Sequence, residues 1–382
     1  MEAKDRFGFG CMRLPVLDAQ DNTTFDYEAI EALFDAYLAR GFTYFDTAYT
    51  YHSYTCERTM GKALVQRHPR DSFELASKLP LRDFKDAKDM ERIFAEQLDA
   101  CGVEYFDYYL LHNMGTNVYA KCVEHDAFGF VQRMKAAGKI KQVGMSFHDT
   151  PALLEEILSQ YGDGLDFIQL QINYMDWDHP SIASRSCLEI ARKYGKPVTV
   201  MEPCKGGTLV NLPAQAEALL RKADPAVSNA SWAMRYAASC DGVTRVLSGM
   251  NSLEQVEDNC ATFADFRPLT EREREVIEKV RQIIEANTAV ACTACAYCTH
   301  GCPKNIPIPQ YFALYNSVMR TTGSFSSQSV YYSNLALTHG KASDCVGCKQ
   351  CERACPQHLP ITAHLKDVVA KLEQSSILPV RK

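Results

Sequence analysis

"FTYFDTAY" (42–49) follows directly on "YEAIEALFDAYLARG" (27–41), and that join sets how the rest of the chain is read. In the longer stretch Ile30, Leu33, Phe34, Tyr37 and Leu38 recur at helical spacing, and Gly41 supplies the stop. The shorter stretch is a compact aromatic and apolar run ending on polar groups, as a buried strand does. The same strand pattern returns as "RFGFGCMRL" (6–14), "FELASKL" (73–79), "YFDYYLLH" (105–112), "IKQVGMSF" (140–147), "DFIQLQIN" (166–173), "PVTVMEP" (197–203) and "TRVLSGM" (244–250). Helix-like stretches such as "MERIFAEQLDACG" and "NASWAMRYAASC" lie between them. Eight strands, each followed by a helix, predict an α/β fold, a (β/α)8 TIM barrel. A doubly wound sheet is the alternative, but no strand leads into Gly-x-Gly-x-x-Gly.

Barrel chemistry sits at the C-terminal ends of the strands. Asp46 and Tyr51 end the second strand, Lys78 the third, His112 the fourth and Ser146 the fifth, with Gln171 near the end of the sixth. A tyrosine can protonate a carbonyl oxygen, although an ordinary pKa of about 10 makes it a slow acid at neutral pH. A neighbouring lysine cation is expected to lower that pKa. Aspartate would hold the lysine charged, and histidine would orient the carbonyl. Each residue alone is more often structural; the pattern over three consecutive strand ends carries the reading. Other rim residues, His52, His148, Trp177 and His179, are candidates for shaping a pocket, with a structural role the commoner one for each.

The second feature is cysteine. Eight of the sixteen fall in two near-copies, "CTACAYCTHGCP" (292–303) and "CVGCKQCERACP" (345–356). Four thiolates suit zinc or iron–sulfur. Zinc sites usually pair two C-x2-C knuckles across a gap. The present spacing is the bacterial ferredoxin one, in which the fourth cysteine reaches across to the other cluster. The expected ligands are Cys292, Cys295, Cys298 and Cys355 for one [4Fe-4S] cluster, and Cys345, Cys348, Cys351 and Cys302 for the other. Between the runs, "IPQYFALYNSVMR" and "SQSVYYSNLALTHG" read as helices, so the domain is expected to be a mainly helical ferredoxin-like one. The other eight cysteines are scattered singly and read as small buried hydrophobes.

The expected domains are a barrel at 1–268, a linking helix at 269–288, a two-cluster domain at 289–360, and a C-terminal helix and tail at 361–382. "EREREVIEKVRQIIEANT" places Val276, Val280, Ile283 and Ile284 on one side, to pack the ferredoxin-like domain against the barrel or, alternatively, to serve as an exposed spacer. A net charge of −6 gives no sign of a nucleic-acid partner. No apolar run reaches membrane-span length. The N-terminus lacks the apolar core of a signal peptide, and the expected location is the cytoplasm.

"FDTAYTYHSYTCERTMGKAL", "ASKLP", "YYLLH" and "VGMSF" resemble the aldo-keto reductases over residues 6 to about 260. The whole chain resembles the subfamily with a C-terminal ferredoxin-type domain. The resemblance implies that Asp46, Tyr51, Lys78 and His112 are the catalytic tetrad, with Tyr51 as general acid–base. It implies a nicotinamide cofactor, NAD(H) or NADP(H), contacted by Ser146, Gln171, Met201, Gly249, Ser252 and Asn259. Three positions depart from the family: Phe147 replaces an asparagine, Met201 or Glu202 stands where an aromatic stacks, and Gln255 stands where an arginine is common. Loss of that phosphate-binding fork favours NAD(H), looser binding or another cofactor.

The expected function is an iron–sulfur oxidoreductase acting on a small carbonyl or alcohol. A nicotinamide moves two electrons and a cluster one, so a flavin or an electron-transfer partner would be needed to couple them directly. Two alternatives follow: an electron-transfer protein whose clusters feed the barrel, and a non-enzymatic redox sensor.

Overall fold

The computed structural model describes residues 3–286, 288–320 and 328–373. Eight parallel strands close into a barrel: β1 (Phe7–Gly10), β2 (Tyr44–Asp46), β3 (Glu74–Pro80), β4 (Phe106–Met114), β5 (Ile140–Phe147), β6 (Phe167–Gln171), β7 (Val198–Met201) and β8 (Val243–Gly249). Closure excludes the doubly wound alternative. The helices between the strands are set by local signals. Asp26 caps Tyr27–Ala39 by accepting from the Ala29 N–H, and Gly41, at φ +84°, takes the left-handed turn that ends the segment. Asp86 and Thr150 cap the helices Ala87–Cys101 and Pro151–Tyr161 in the same way.

Register places the functional ends level with one another. Asp46 lies opposite Gly10 on one side and Ala76 on the other, and Pro80 lies opposite His112. Seven of the eight scattered cysteines are buried, and Cys204 is half-buried. One hydrophobic core runs from Phe7 to Phe263 through the barrel and its helices.

One element was not anticipated. A hairpin, Val16–Asp18 with Asp21–Phe25, follows β1. The Asn22 carbonyl bonds the His52 ring (2.7 Å), and the Ser53 hydroxyl donates to the Asn22 side chain (3.0 Å). These bonds hold the loop after Tyr51, where His52, Ser53 and Tyr54 take left-handed φ values of 47°, 52° and 70° in succession. Such a run is costly for non-glycine residues and persists only when neighbours over-determine it.

The helix Glu271–Ala286 is not an exposed spacer. Its Ile277, Val280 and Ile284 share a core with Leu220 and Trp232 of the barrel's outer helices. Beyond it, the described residues form helices Ile308–Met319, Gln328–Thr338, Gln350–Ala354 and Ile361–Val368, with no strand among them. Their core is separate and gathers Tyr311, Phe312, Leu314 and Leu365 around Cys298, Cys351 and Cys355. The expected tail from 374 onward lies outside the described residues. Among the described residues, no helix is long and apolar enough to cross a membrane.

The two parts meet at the barrel mouth. Ile182, in the loop after β6, joins the second core. The Asn334 side chain donates to the His148 carbonyl (2.8 Å), and Tyr331 sets its ring edge against His148 at 5.8 Å. A Cβ at Gly115 would stand 2.6 Å from the Asn334 amide nitrogen, so glycine permits this approach.

Candidate active site and cluster sites

Lys78 is the hub of the mouth. Its ammonium, buried with the rest of the side chain, donates to Asp46 Oδ1 (2.6 Å), to the Thr47 carbonyl (2.7 Å) and to the Tyr51 hydroxyl (3.3 Å). The Tyr51 and His112 rings meet edge to face at 6.0 Å. The four tetrad candidates are therefore neighbours, although they come from three strands and a loop. A second buried network stands behind them. Glu57, in the helix Cys56–Met60 after the Tyr51 loop, accepts from Ser77 and from Gln97 (2.6 Å). Gln97 also donates to the Lys78 carbonyl (3.0 Å). The loop carrying Tyr51 is thus tied to the strand carrying Lys78.

The electrostatics differ from expectation in sign. Burial outweighs the Lys78 cation and raises Tyr51 to about 12, so the phenol keeps its proton across the neutral range. Burial and the Lys78 charge push His112 well below the ordinary histidine value, leaving it neutral. His148 falls to about 4 through burial and the Arg82 charge.

A cavity of about 820 Å³ opens above this floor. It runs from Asp46, Tyr51 and His112, past Met201 and Glu202, to Ser228, Gln255 and Asn259. Gly10 and Gly249, paired across β1 and β8, present bare backbone along it. Its volume and that glycine floor fit a dinucleotide with a small substrate. Of the expected cofactor contacts, Ser146, Met201, Gly249 and Asn259 line it.

Gln171 and Ser252 do not. Gln171 donates to Asp176 (2.7 Å), which is itself ion-paired with the buried Lys205. Gln169, two residues earlier on the same strand face, lines the cavity instead and approaches Asp46 at 3.4 Å. Ser252 spends its hydroxyl capping the helix Leu253–Ala264. Gln255 folds back on the Asn251 N–H (2.9 Å). Arg221, which sequence reasoning missed, reaches the same end of the cavity but is paired with Glu217 (2.7 Å). Among the rim candidates, His148 lines the cavity, whereas His52, Trp177 and His179 do not. Arg13, Arg82, Asn113 and Val330 line it without having been anticipated. Val330 comes from the cluster-bearing part, and no short-range signal could have brought it here.

The motif cysteines surround two small voids. One is lined by Cys292, Cys295, Cys298 and Cys355, the other by Cys302, Cys345, Cys348 and Cys351. Each set takes three thiols from one motif and the fourth from the other. No group of three His, Cys, Asp or Glu among the described residues is drawn close enough for a single bare metal ion. Four thiols around an apolar void fit the larger [4Fe-4S] unit.

Comparison with known proteins agrees with this division. The Aldo/keto reductase family matches residues 6–282, more than half of the chain, and a 4Fe-4S dicluster domain matches 291–360. "Probable aldo-keto reductase 1" of Glycine max is 32% identical over 149 residues, which is 37% of this chain. The match spans about two fifths of that relative's length (41%). Among solved structures, aldo-keto reductase AKR11C1 from Bacillus halodurans is 24% identical with a TM-score of 0.59, covering 72% of this chain and 91% of that one. An aldo-keto reductase from Klebsiella pneumoniae, solved in complex with NADPH, is 21% identical with a TM-score of 0.55, covering 72% and 90%. At these identities the structural likeness speaks to fold.

Proposed function

Because the chain belongs to the aldo/keto reductase family and carries a 4Fe-4S dicluster domain, we propose that it interconverts a small carbonyl compound and its alcohol. In this reading Tyr51 is the general acid–base and NADH or NADPH is the redox partner. The observation that carries it is the bridge made by Lys78, 2.6 Å from Asp46 and 3.3 Å from the Tyr51 hydroxyl, at the floor of the cavity.

The residues divide the work as follows. Tyr51 holds its proton where a carbonyl oxygen would sit, and neutral His112 orients that oxygen. Lys78, kept charged by Asp46, stabilises the phenolate left after proton transfer. Ser146 and Gln169 would hold the carboxamide of the nicotinamide, which supplies the hydride when bound. Cys292, Cys295, Cys298 and Cys355 would hold one [4Fe-4S] cluster, and Cys345, Cys348, Cys351 and Cys302 the other. The clusters stand outside the hydride step, since each passes one electron. We divide the chain as the sequence suggests, into 1–268, 269–288, 289–360 and 361–382.

A second reading, in which the clusters feed the barrel site directly or through a flavin, is favoured by the place of Val330 on the cavity wall. Anaerobic titration of the cluster-loaded protein with NADH and NADPH separates the two. Saturable binding of either supports the hydride reading. Binding of neither replaces it with the second.

A further inference from the structure

Three polar side chains that line the cavity with Tyr51 and His112 make no side-chain hydrogen bond or ion pair among the described residues. Arg82, just beyond β3, lines the cavity, and its guanidinium makes no ion pair or hydrogen bond among the described residues. The carboxylate acting on it is that of its chain neighbour Asp83. His148, just beyond β5, is 7% exposed and lines the same wall, and its Nδ1 is buried without a hydrogen bond among the described residues. Asn113, next to last in β4, is in a left-handed conformation (φ 57°), and its side-chain amide is unused among the described residues. Arg82 and His148 both act electrostatically on His112, and all three line the same cavity. Reduction of an uncharged carbonyl compound needs none of these groups. An unpaired cation and an unused amide beside the His148 ring on one wall match an anion.

The cluster-bearing part closes this wall. Asn334 bonds the His148 carbonyl, Tyr331 packs on its ring, and Val330 faces the cavity.

We propose that Arg82, His148 and Asn113 form an anion subsite, so that the substrate is a carbonyl compound carrying a carboxylate or phosphate a few atoms from its reducible carbon. The helix Gln328–Thr338 holds the subsite in place. The inference rests on the reading of Tyr51 as proton donor.

The test uses the cluster-loaded full chain and two probe pairs. These are 4-oxobutanoate with its methyl ester, and glyceraldehyde 3-phosphate with glyceraldehyde. The charged member of one pair is expected to exceed its neutral partner by about 10- to 100-fold in kcat/KM, and the pair that does so names the anion. Arg82→Gln collapses that ratio, and Arg82→Lys keeps part of it. Asn334→Ala lowers the ratio several-fold. Ratios near one for both pairs, or a ratio that Arg82→Gln leaves unchanged, overturn the subsite. A ratio untouched by Asn334→Ala overturns the part assigned to the helix. The same ratios are read as affinities by calorimetry in Tyr51→Phe, where failure of the proton-donor reading shows separately as surviving turnover. Iron content and melting temperature confirm that each variant is folded.

Discussion

The barrel and the cluster-bearing part are ordered by different forces. The barrel buries one continuous apolar core, with Phe7, Phe9, Phe34, Tyr37 and Phe45 stacked edge and face within it. Its catalytic floor is satisfied internally, each charge facing its opposite. The smaller core at the other end is partly made of the motif thiols: Cys298, Cys351 and Cys355 are buried in it, and Cys292, Cys302 and Cys345 pack against it. Cys295 and Cys348 stay exposed, and apolar Tyr297 and Val346 beside them are 60% and 59% exposed. The difference teaches that one part folds on hydrophobic burial, whereas the other leans on what its thiols hold.

Removing iron anaerobically with a chelator breaks the comparison most visibly. Residues 290–320 and 328–373 are expected to lose amide protection by orders of magnitude while β1–β8 keep theirs, as read by hydrogen exchange. Equal protection in both parts would show that the second core stands without its clusters.

Next in size is the catalytic floor. Tyr51→Phe is expected to lower kcat by about 10²- to 10⁴-fold with nucleotide binding retained. In the intact protein, a Tyr51 pKa of about 12 keeps carbonyl reduction flat from pH 7 to 10. Alcohol oxidation, which needs the phenolate, rises about tenfold per pH unit over that range. A downward break in reduction near pH 8 would contradict the balance in which burial outweighs Lys78.

The Glu57 network sharpens the picture of the barrel. Burial raises Glu57 from 4.5 to about 7 in the folded protein. A carboxyl raised on folding contributes stability that is full below its unfolded pKa and lost as pH rises through the folded one. Stability from this group is therefore expected to fall between pH 4.5 and 7, by up to about 3 kcal/mol. Glu57→Gln, neutral throughout, should flatten that slope in denaturant titrations at pH 5 and pH 8.

The smallest effect lies at the seam. Gly115→Ala sets a methyl 2.6 Å from the Asn334 amide nitrogen. It is expected to cost about 1–3 kcal/mol, with faster exchange in the helix Gln328–Thr338 and little change in the barrel strands.

The eight strand–helix units were legible because helical and strand periodicities, caps and glycine stops act over a few residues. The same short range made Asp46, Tyr51, Lys78 and His112 readable as strand ends, and the cysteine spacing readable as two crossed sets of four. Gln169 and Gln171 were not separable, since strand alternation puts both on one face. Only the loop that brings Asp176 to Gln171 leaves Gln169 in the cavity. The direction of the Tyr51 shift was also out of reach. Lys78 could be inferred as a neighbour, but the desolvation that outweighs it belongs to the assembled mouth. Val330 and Asn334 lie far along the chain from that mouth, and only packing of the second core against the loops at His148 and Ile182 brings them there. By itself the sequence determined the local order and the chemistry of the side chains. Tertiary structure decided which of them share a cavity, because proximity and burial are properties of the packed whole.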